Sequence, residues 1–253
     1  MTTDTSGTGH ESYSVIVVGG GVAGLSAAVF TARHGLDTLV VDSGESILRR
    51  NAHLENFPGF PAGVNARQLL DLLGEQAETA GCERVEDTVV HVEETSDESG
   101  FTAETEAGER YRTEYVVAAT KNEVGYLDDI DGVGIIDRGK AFVDVDERGR
   151  TGVDGLYAAG RLAEKPHQAI VCAGHGAEVG VTILADDDRP FYHDWVTPKG
   201  YFTDRGRDLP PGCEEIDEVE RRDREDTSLA VMRDRFAEPH PDDQVTHPSL
   251  QNK

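Results

Sequence analysis

Gly19-Gly20-Gly21-Val22-Ala23-Gly24 places glycines at the first, third and sixth positions of a G-x-G-x-x-G run. That spacing suits a backbone that must touch phosphate. Gly19 permits a tight turn, Gly21 lets the main chain approach a pyrophosphate, and Gly24 allows a helix to pack closely on a strand. The helix that follows would aim its N-terminus, with free N–H groups and the positive end of its dipole, at the diphosphate. Asp42 ends the next apolar run, where a carboxylate accepts hydrogen bonds from a ribose diol and repels a 2′-phosphate. The chemistry is dinucleotide binding, and the motif alone does not separate a flavin from a nicotinamide ligand.

Such a loop works only if a strand feeds it and a helix leaves it. Ser14 to Val18 is a short continuous apolar run of the kind that forms a buried parallel strand. Ala23 to His34 reads as a helix of small and apolar residues closed by Gly35, and Thr38 to Val41 as a β-branched strand. Together they make a βαβ unit of about 30 residues. Past a loop rich in Asn, Pro and Gly, Asn65 and Gln68 form a capping-box signature for a helix carrying Leu69, Leu70, Leu72, Leu73 and Ala77, ended by Gly81. Residues 88–119 read as short strands broken at 97–100 and 107–108, a β-meander that leads into a buried strand, Tyr115 to Ala119. Residues 121–139 show no periodicity and read as a linker. Phe142 to Val145 and Gly155 to Ala159 read as strands, and Pro166 to Leu184 as one long helix with proline near its first turn.

The stretch 186–253 holds 18 acids, 10 bases and 7 of the chain's 10 prolines, a composition suited to an arm that wraps a body or a partner. Within it, Glu214 to Ala237 reads as helical, with Ile216, Val219, Leu229, Met232 and Phe236 as a sparse apolar stripe. Tyr192, Trp195 and Tyr201 either cover an open face of the site or anchor the arm.

The 49 acidic and 24 basic residues give a formal charge of −25, and only 5 of the bases are Lys. Nucleic acid is excluded as a partner class, because affinity for phosphate backbones needs a cationic stripe free of interleaved acids. Self-repulsion of this size weakens a compact state at low ionic strength and is screened when the Debye length falls to ~3 Å in molar salt. A salt-rich, halophilic cytoplasm is the expected setting. No apolar run is read as reaching the ~18–20 residues of a bilayer span, and the N-terminal dozen residues carry no signal-peptide pattern. Cys82, Cys172 and Cys213 are too few and too scattered for a disulfide framework or a CxxC pair.

Three segments resemble the thioredoxin reductase-like family of FAD-dependent pyridine nucleotide-disulfide oxidoreductases: VIVVGGGVAGLSAA from Val15, LENFPGFP from Leu54, and TGVDGLYAAG from Thr151 followed by HQAIVCAGHGA. The resemblance covers residues 13–185. It implies FAD as cofactor, with the LENFPGFP loop beside the isoalloxazine, Gly160 beside the ribityl-phosphate chain, and the backbone N–H groups of Gln168 and Ala169 at the flavin's pyrimidine edge. The cofactor-binding set it implies is Gly19, Gly21, Val22, Ala23, Gly24, Asp42, Asn56, Ala119, Thr120, Gly160, Arg161, His167, Gln168 and Ala169. A helix N-terminus at that edge would stabilise the negative charge of a reduced flavin.

Three departures shape the expected function. Arg161 stands where the family carries an acidic residue, which predicts altered flavin affinity or a raised reduction potential. Only about 20 residues separate Thr120 from Lys140, where the family inserts an NADPH domain, and a βαβ unit needs about 30. The family's redox CxxC, which lies in that domain, is also missing. Electrons must then pass to or from an external small molecule or redox protein. His167 and Cys172 are the catalytic candidates. His167 either donates to substrate or flavin or caps the helix, and Cys172 either sits near the flavin or packs the helix. His167, Cys172 and His175 do not share a helix face, so no metal is expected.

The expected molecule is an α/β Rossmann-like FAD-binding domain with a central parallel sheet and a β-meander. Residues 1–12 form a tail, 13–185 a single domain from segments 13–120 and 140–185 joined by the linker 121–139, and 186–253 an acidic C-terminal extension. Its expected function is that of an FAD-dependent oxidoreductase. The alternatives are a non-catalytic FAD-binding subunit or redox sensor and an NAD-binding dehydrogenase. Family members often pair through the FAD domain, which leaves a homodimer open.

Overall fold

Strand β1 (Glu11–Val18) runs down the centre of the molecule, and its last four residues, Val15 to Val18, are buried. Each such side chain contributes about 1.5–3 kcal/mol on burial. The computed structural model describes residues 11–95 and 100–250. β1 begins three residues before the expected Ser14, so residues 11 and 12 are sheet and not tail. The rest of the expected tail lies outside the described residues, as does most of the turn at 97–100.

Helix α1 (Val22–Arg33) and strand β2 (Thr38–Val41) follow as the sequence predicts, and β2 pairs parallel with β1 from Val15↔Thr38 to Val18↔Val41. Asn65 caps α2 (Ala66–Thr79), its side chain accepting from the N–H groups of Arg67 and Gln68 at 2.9 and 3.4 Å. Strand β3 (Glu83–Val85) then adds to β2. The meander forms as β4 (Val89–Glu94), β5 (Phe101–Thr105) and β6 (Arg110–Ala118), antiparallel to one another, with β6 parallel to β1. β6 is shared on its outer side: residues 110–113 pair with β5, and 116–118 pair with the later strand β9 (Leu156–Ala158). The seven-stranded sheet therefore mixes a parallel half with an antiparallel one.

Alternation along the central strands sends Val15, Val17, Val40 and Val117 to one face and Ile16, Val18, Leu39, Val41 and Val116 to the other, which builds two cores. The first face is covered by α1, α2 and α3 (Ala169–Asp186). α1 and α3 pack closely because α3 offers glycine where α1 offers backbone: a Cβ on Gly176 would overlap the Ala23 carbonyl, and one on Gly180 would lie 3.0 Å from the Ala27 oxygen. By length and a mean hydropathy of 1.3, α3 is apolar enough to cross a membrane, contrary to the expectation that no such run exists. Half of it is buried inside this domain.

The second face is covered partly by the stretch read as a linker. Residues 121–139 are ordered: a 3-10 turn, Gly125–Leu127, buries Tyr126 and Leu127, and β7 (Ile135–Asp137) forms a hairpin with β8 (Ala141–Val143). Periodicity missed this because the pieces are three residues long and hold their place through tertiary burial.

The C-terminal extension adds β10 (Trp195–Pro198) and β11 (Cys213–Ile216), a parallel pair, and α4 (Glu218–Arg235). Ile216 is buried in β11 and so does not belong to the helix stripe. Val219, Leu229 and Met232 are exposed on α4, and no α4 residue is buried. Asp194 ties the arm to Arg33 at the far end of α1, and Arg235 bonds Glu75 on α2 at 2.7 and 2.8 Å. Trp195 packs edge-on against Tyr201 and Phe202, and Tyr192 against His34, so these aromatics anchor the arm and do not cover the site.

Candidate functional site

The C-terminal ends of β1, β2 and β6 converge at one edge of the sheet, the edge where open α/β sheets bind ligands. Gly19 N–H donates to Val41 O at 2.8 Å and Ala119 N–H to Val18 O at 2.9 Å, which locks the three ends together. Above them opens a cleft of about 780 Å³ whose wall includes Gly19 to Ala23, Asp42, Asn56, Ala119, Thr120, Arg161 and His167 to Ala169. Segments more than 100 residues apart thus share one cavity.

The three motif glycines have separable reasons. Gly19 takes φ +106°, in the region glycine favours, and a Cβ there would lie 2.9 Å from the Ala119 oxygen. A Cβ on Gly24 would overlap the Gly19 carbonyl, so this glycine lets α1 approach β1 and does not face the cleft. At Gly21 the nearest atom to an added Cβ is Ser46 Oγ, at 3.7 Å, so only the cleft lies in front of it. Protein packing leaves that position free, which is what close approach of a ligand requires. Gly21 is also the N-cap of α1, with no side-chain cap on the free N–H groups behind it. The Asp42 carboxylate lies against Gly20, where a Cβ would meet its Oδ2 at 2.5 Å.

At the other end, Asn56 Nδ2 donates to Gln168 Oε1 at 2.7 Å, a direct link between the LENFPGFP loop and the start of α3. That loop is closed by the Leu54↔Val64 bridge. Gln168, not Pro166 or His167, is the N-cap of α3, so the proline precedes the helix and His167 does not cap it. Gln168 lines the cleft, its backbone N–H donating to Pro166 O at 2.7 Å, and Ala169 opens the helix there.

Gly160 is not among the residues that line the cleft. It is buried below the cleft wall with φ +64°, a Cβ there would come within 2.6 Å of Ala23 Cβ, and its N–H donates to His175 Nδ1 at 3.0 Å. Arg161 lines the cleft, its guanidinium 4.7 Å from the Phe142 ring centre and donating to Lys165 O at 3.2 Å. His167 is exposed on the wall, and its pKa is lowered by desolvation and then by Arg161, Lys121 and Lys140, so the ring is neutral near pH 7. Cys172 also reaches the wall, but burial pushes its thiol up, and Sγ is directed at Pro166 O, 3.5 Å away. It is held as a thiol, unsuited to nucleophilic work. His175, three residues further along α3, is buried and accepts the Gly160 N–H, away from the cleft wall. Among the described residues no group of three His, Cys, Asp or Glu is placed to hold a metal.

Sequence reasoning missed Lys121, Arg50, Ser46 and Tyr126, all on the cleft wall. Lys121, three residues past the end of β6, has φ +67°, a left-handed conformation for which glycine or asparagine would have been the signal. Its turn is fixed by Thr120 Oγ1, which donates to Glu123 O at 2.6 Å and lies 3.0 Å from the buried Tyr126 hydroxyl.

Fold and cleft together define a Rossmann-like dinucleotide-binding domain. Residues 14–54 match the family model of an FAD binding domain, which bears out FAD as the expected cofactor. The chain is similar to thioredoxin reductases: it is 36% identical over 113 residues to that of Streptomyces clavuligerus, covering 44% of this chain and 34% of the relative. It is 39% identical over 87 residues to that of Aquifex aeolicus, covering 34% and 27%. The matched region thus spans about a third of these curated relatives. Among solved structures, a thioredoxin reductase from Gloeobacter violaceus superposes with a TM-score of 0.61 at 17% identity, covering 74% of this chain and 99% of that one. One from Streptococcus pyogenes gives 0.62 at 14%, covering 70% and 98%. The resemblance read from the three motifs is borne out in sequence and in fold.

Proposed function

We propose that the protein is an FAD-dependent oxidoreductase of the thioredoxin reductase-like kind that exchanges electrons with an external donor or acceptor, without an NADPH domain of its own. The Asn56–Gln168 hydrogen bond across one cleft carries the reading, because it joins the segment bearing the phosphate loop to the segment bearing the ring-edge helix. Bound FAD supplies reversible electron transfer.

The residues divide the remaining tasks. Gly21 and the N-terminus of α1 receive the diphosphate, and Asp42 the ribose diol. Asn56 and Gln168 brace the cleft at its ring end. Ala169 N–H, the positive end of α3, Arg161 and Lys121 favour negative charge at the ring edge. His167, neutral at the mouth, can hold or return a proton there.

Support for the missing nicotinamide domain comes from the path between β6 and β9, which among the described residues contains short turns and one hairpin but no strand–helix–strand unit. Hydride or electrons would then come from outside the chain. Protein purified in concentrated KCl should show the flavin absorption spectrum and bleach anaerobically with NADH, NADPH or a dithiol. Retained flavin that none of these bleaches would make the protein an FAD-binding subunit or sensor. A colourless protein that takes up no FAD would leave the nicotinamide-binding alternative.

A further inference from the structure

Arg67, in the first turn of α2, is the only Lys, Arg, Asp or Glu that is buried among the described residues, at 3% exposure. Ala66, Leu69 and Leu70 around it belong to the apolar core, so packing alone would select an aliphatic side chain here. Among the described residues no carboxylate lies within 4.0 Å of the guanidinium. Its donors go instead to main-chain carbonyls of one short segment. Nη1 donates to Asn51 O at 2.7 Å and to Arg49 O at 3.4 Å, Nη2 donates to Ala52 O at 3.4 Å, and Nε has no partner. A buried cation balanced only by carbonyl dipoles is a costly way to fill a core, so its use lies in the segment it holds.

That segment is a wall of the cleft. Residues 49–52 run between Ser46, whose Oγ faces Gly21, and Asn56, which bonds Gln168, and Arg50 and Asn51 line the cavity. The C-terminal extension grips the same place from outside. Arg67, Asp71 and Glu75 are spaced four apart and form one stripe of α2. The extension runs back along this stripe: Arg235 bonds Glu75, His240 Nε2 lies 2.8 Å from Asp71 Oδ2, and the Val245 N–H donates at 2.8 Å to Arg49 O, a carbonyl that Arg67 also meets. The Phe236 ring centre stands 6.1 Å from that of Phe60 in the LENFPGFP loop.

We propose that Arg67 is a positioning residue for the cofactor site and that residues 235–245 are a strap over it, so that the wall at 49–52 is clamped from both sides. The proposal deepens the flavoprotein reading above, on which its cofactor half rests, and gives the extension a role in the site that it does not itself line.

FAD titration and amide hydrogen exchange of the full chain in concentrated KCl test it. Arg67→Met keeps the length of the side chain and removes its donors, and FAD should bind about tenfold more weakly; Val245→Pro removes only the outer donor and should weaken binding about threefold. Arg67→Lys, which keeps the charge and one donor group, should recover part of the loss. At saturating FAD the visible circular dichroism of the bound flavin should change in Arg67→Met. Without FAD, exchange over residues 47–56 should quicken at least about fivefold in Arg67→Met and in Val245→Pro. Val92→Ala, which truncates a fully buried side chain of the meander, is the control for lost stability and should leave these readouts at wild-type values. Wild-type affinity in Arg67→Met, or an equal loss in Val92→Ala, would overturn the positioning role, and unchanged exchange in Val245→Pro would overturn the strap. Should Arg67→Met fail to fold, wild-type values in both Arg67→Lys and Val245→Pro would overturn the proposal. Wild-type protein that binds no FAD would remove the flavoprotein reading, while the exchange measurement, made without flavin, would still decide whether 49–52 is clamped.

Discussion

Gly21 and Gly24 sit three residues apart and should fail in different ways. A Cβ on Gly21 meets only Ser46 Oγ at 3.7 Å, so Gly21→Ala is expected to fold with wild-type stability and bind FAD at least about tenfold more weakly. The same change at Gly24 drives a methyl group into the Gly19 carbonyl and should cost about 2–3 kcal/mol or more, seen as a lowered Tm before any ligand is added. Arg161 is testable through the cofactor. Replacing this cleft cation by aspartate should lower the flavin midpoint potential by on the order of 30 mV, and an unchanged potential with unchanged FAD affinity would refute its electrostatic role. These residues were legible because glycine spacing and charge type speak directly of phosphate and flavin. Lys121 was not legible, since its left-handed backbone comes from a hydrogen-bonded turn that a lysine does not advertise.

Helix α3 joins both halves of the site to the core, and His175 is its most exposed point to acid, although the side chain itself is buried. Nδ1 accepts the Gly160 N–H, which leaves the proton of the neutral ring on Nε2, a buried atom with no hydrogen-bond partner. Burial, and then Lys165, push its pKa down to about 4, below the ordinary 6.5. The unfolded chain therefore binds the additional proton between those values. Stability from this group is complete above pH 6.5 and is lost as pH falls toward 4, on the order of 2–3 kcal/mol. His175→Asn, which keeps an acceptor for Gly160, should flatten the fall of Tm between pH 7 and about pH 4.5 relative to wild type. At this scale β1, α1, β2, α2 and α3 followed from periodicity and caps. The β10–β11 pair did not, because its partners are far apart in sequence and held by Glu215, whose carboxylate takes the N–H groups of Gly200, Phe202 and Thr203 at 2.8, 2.5 and 3.0 Å.

For the whole molecule, the surplus of 49 acids over 24 bases should make folding depend on salt. We expect Tm to rise by at least several degrees as KCl increases from about 0.1 M to roughly 3 M, with most of the gain where the Debye length drops below the spacing of surface carboxylates. A flat response would refute salt adaptation. The fold class was visible in the sequence, since a glycine loop set between a buried strand and a small-residue helix has few other uses; the order within 121–139 was not, because Tyr126, Leu127 and Ile130 gain their places only from the sheet they cover. The shared edge of β6 has one more consequence. The chain leaves the sheet after Ala118 and comes back as β9 alongside the same three residues, Val116 to Ala118, so departure and return are neighbours in space. Such a junction is a splice port: a whole foreign module could be grafted there on two short tethers, and an electron source could be built into this scaffold without redrawing its sheet.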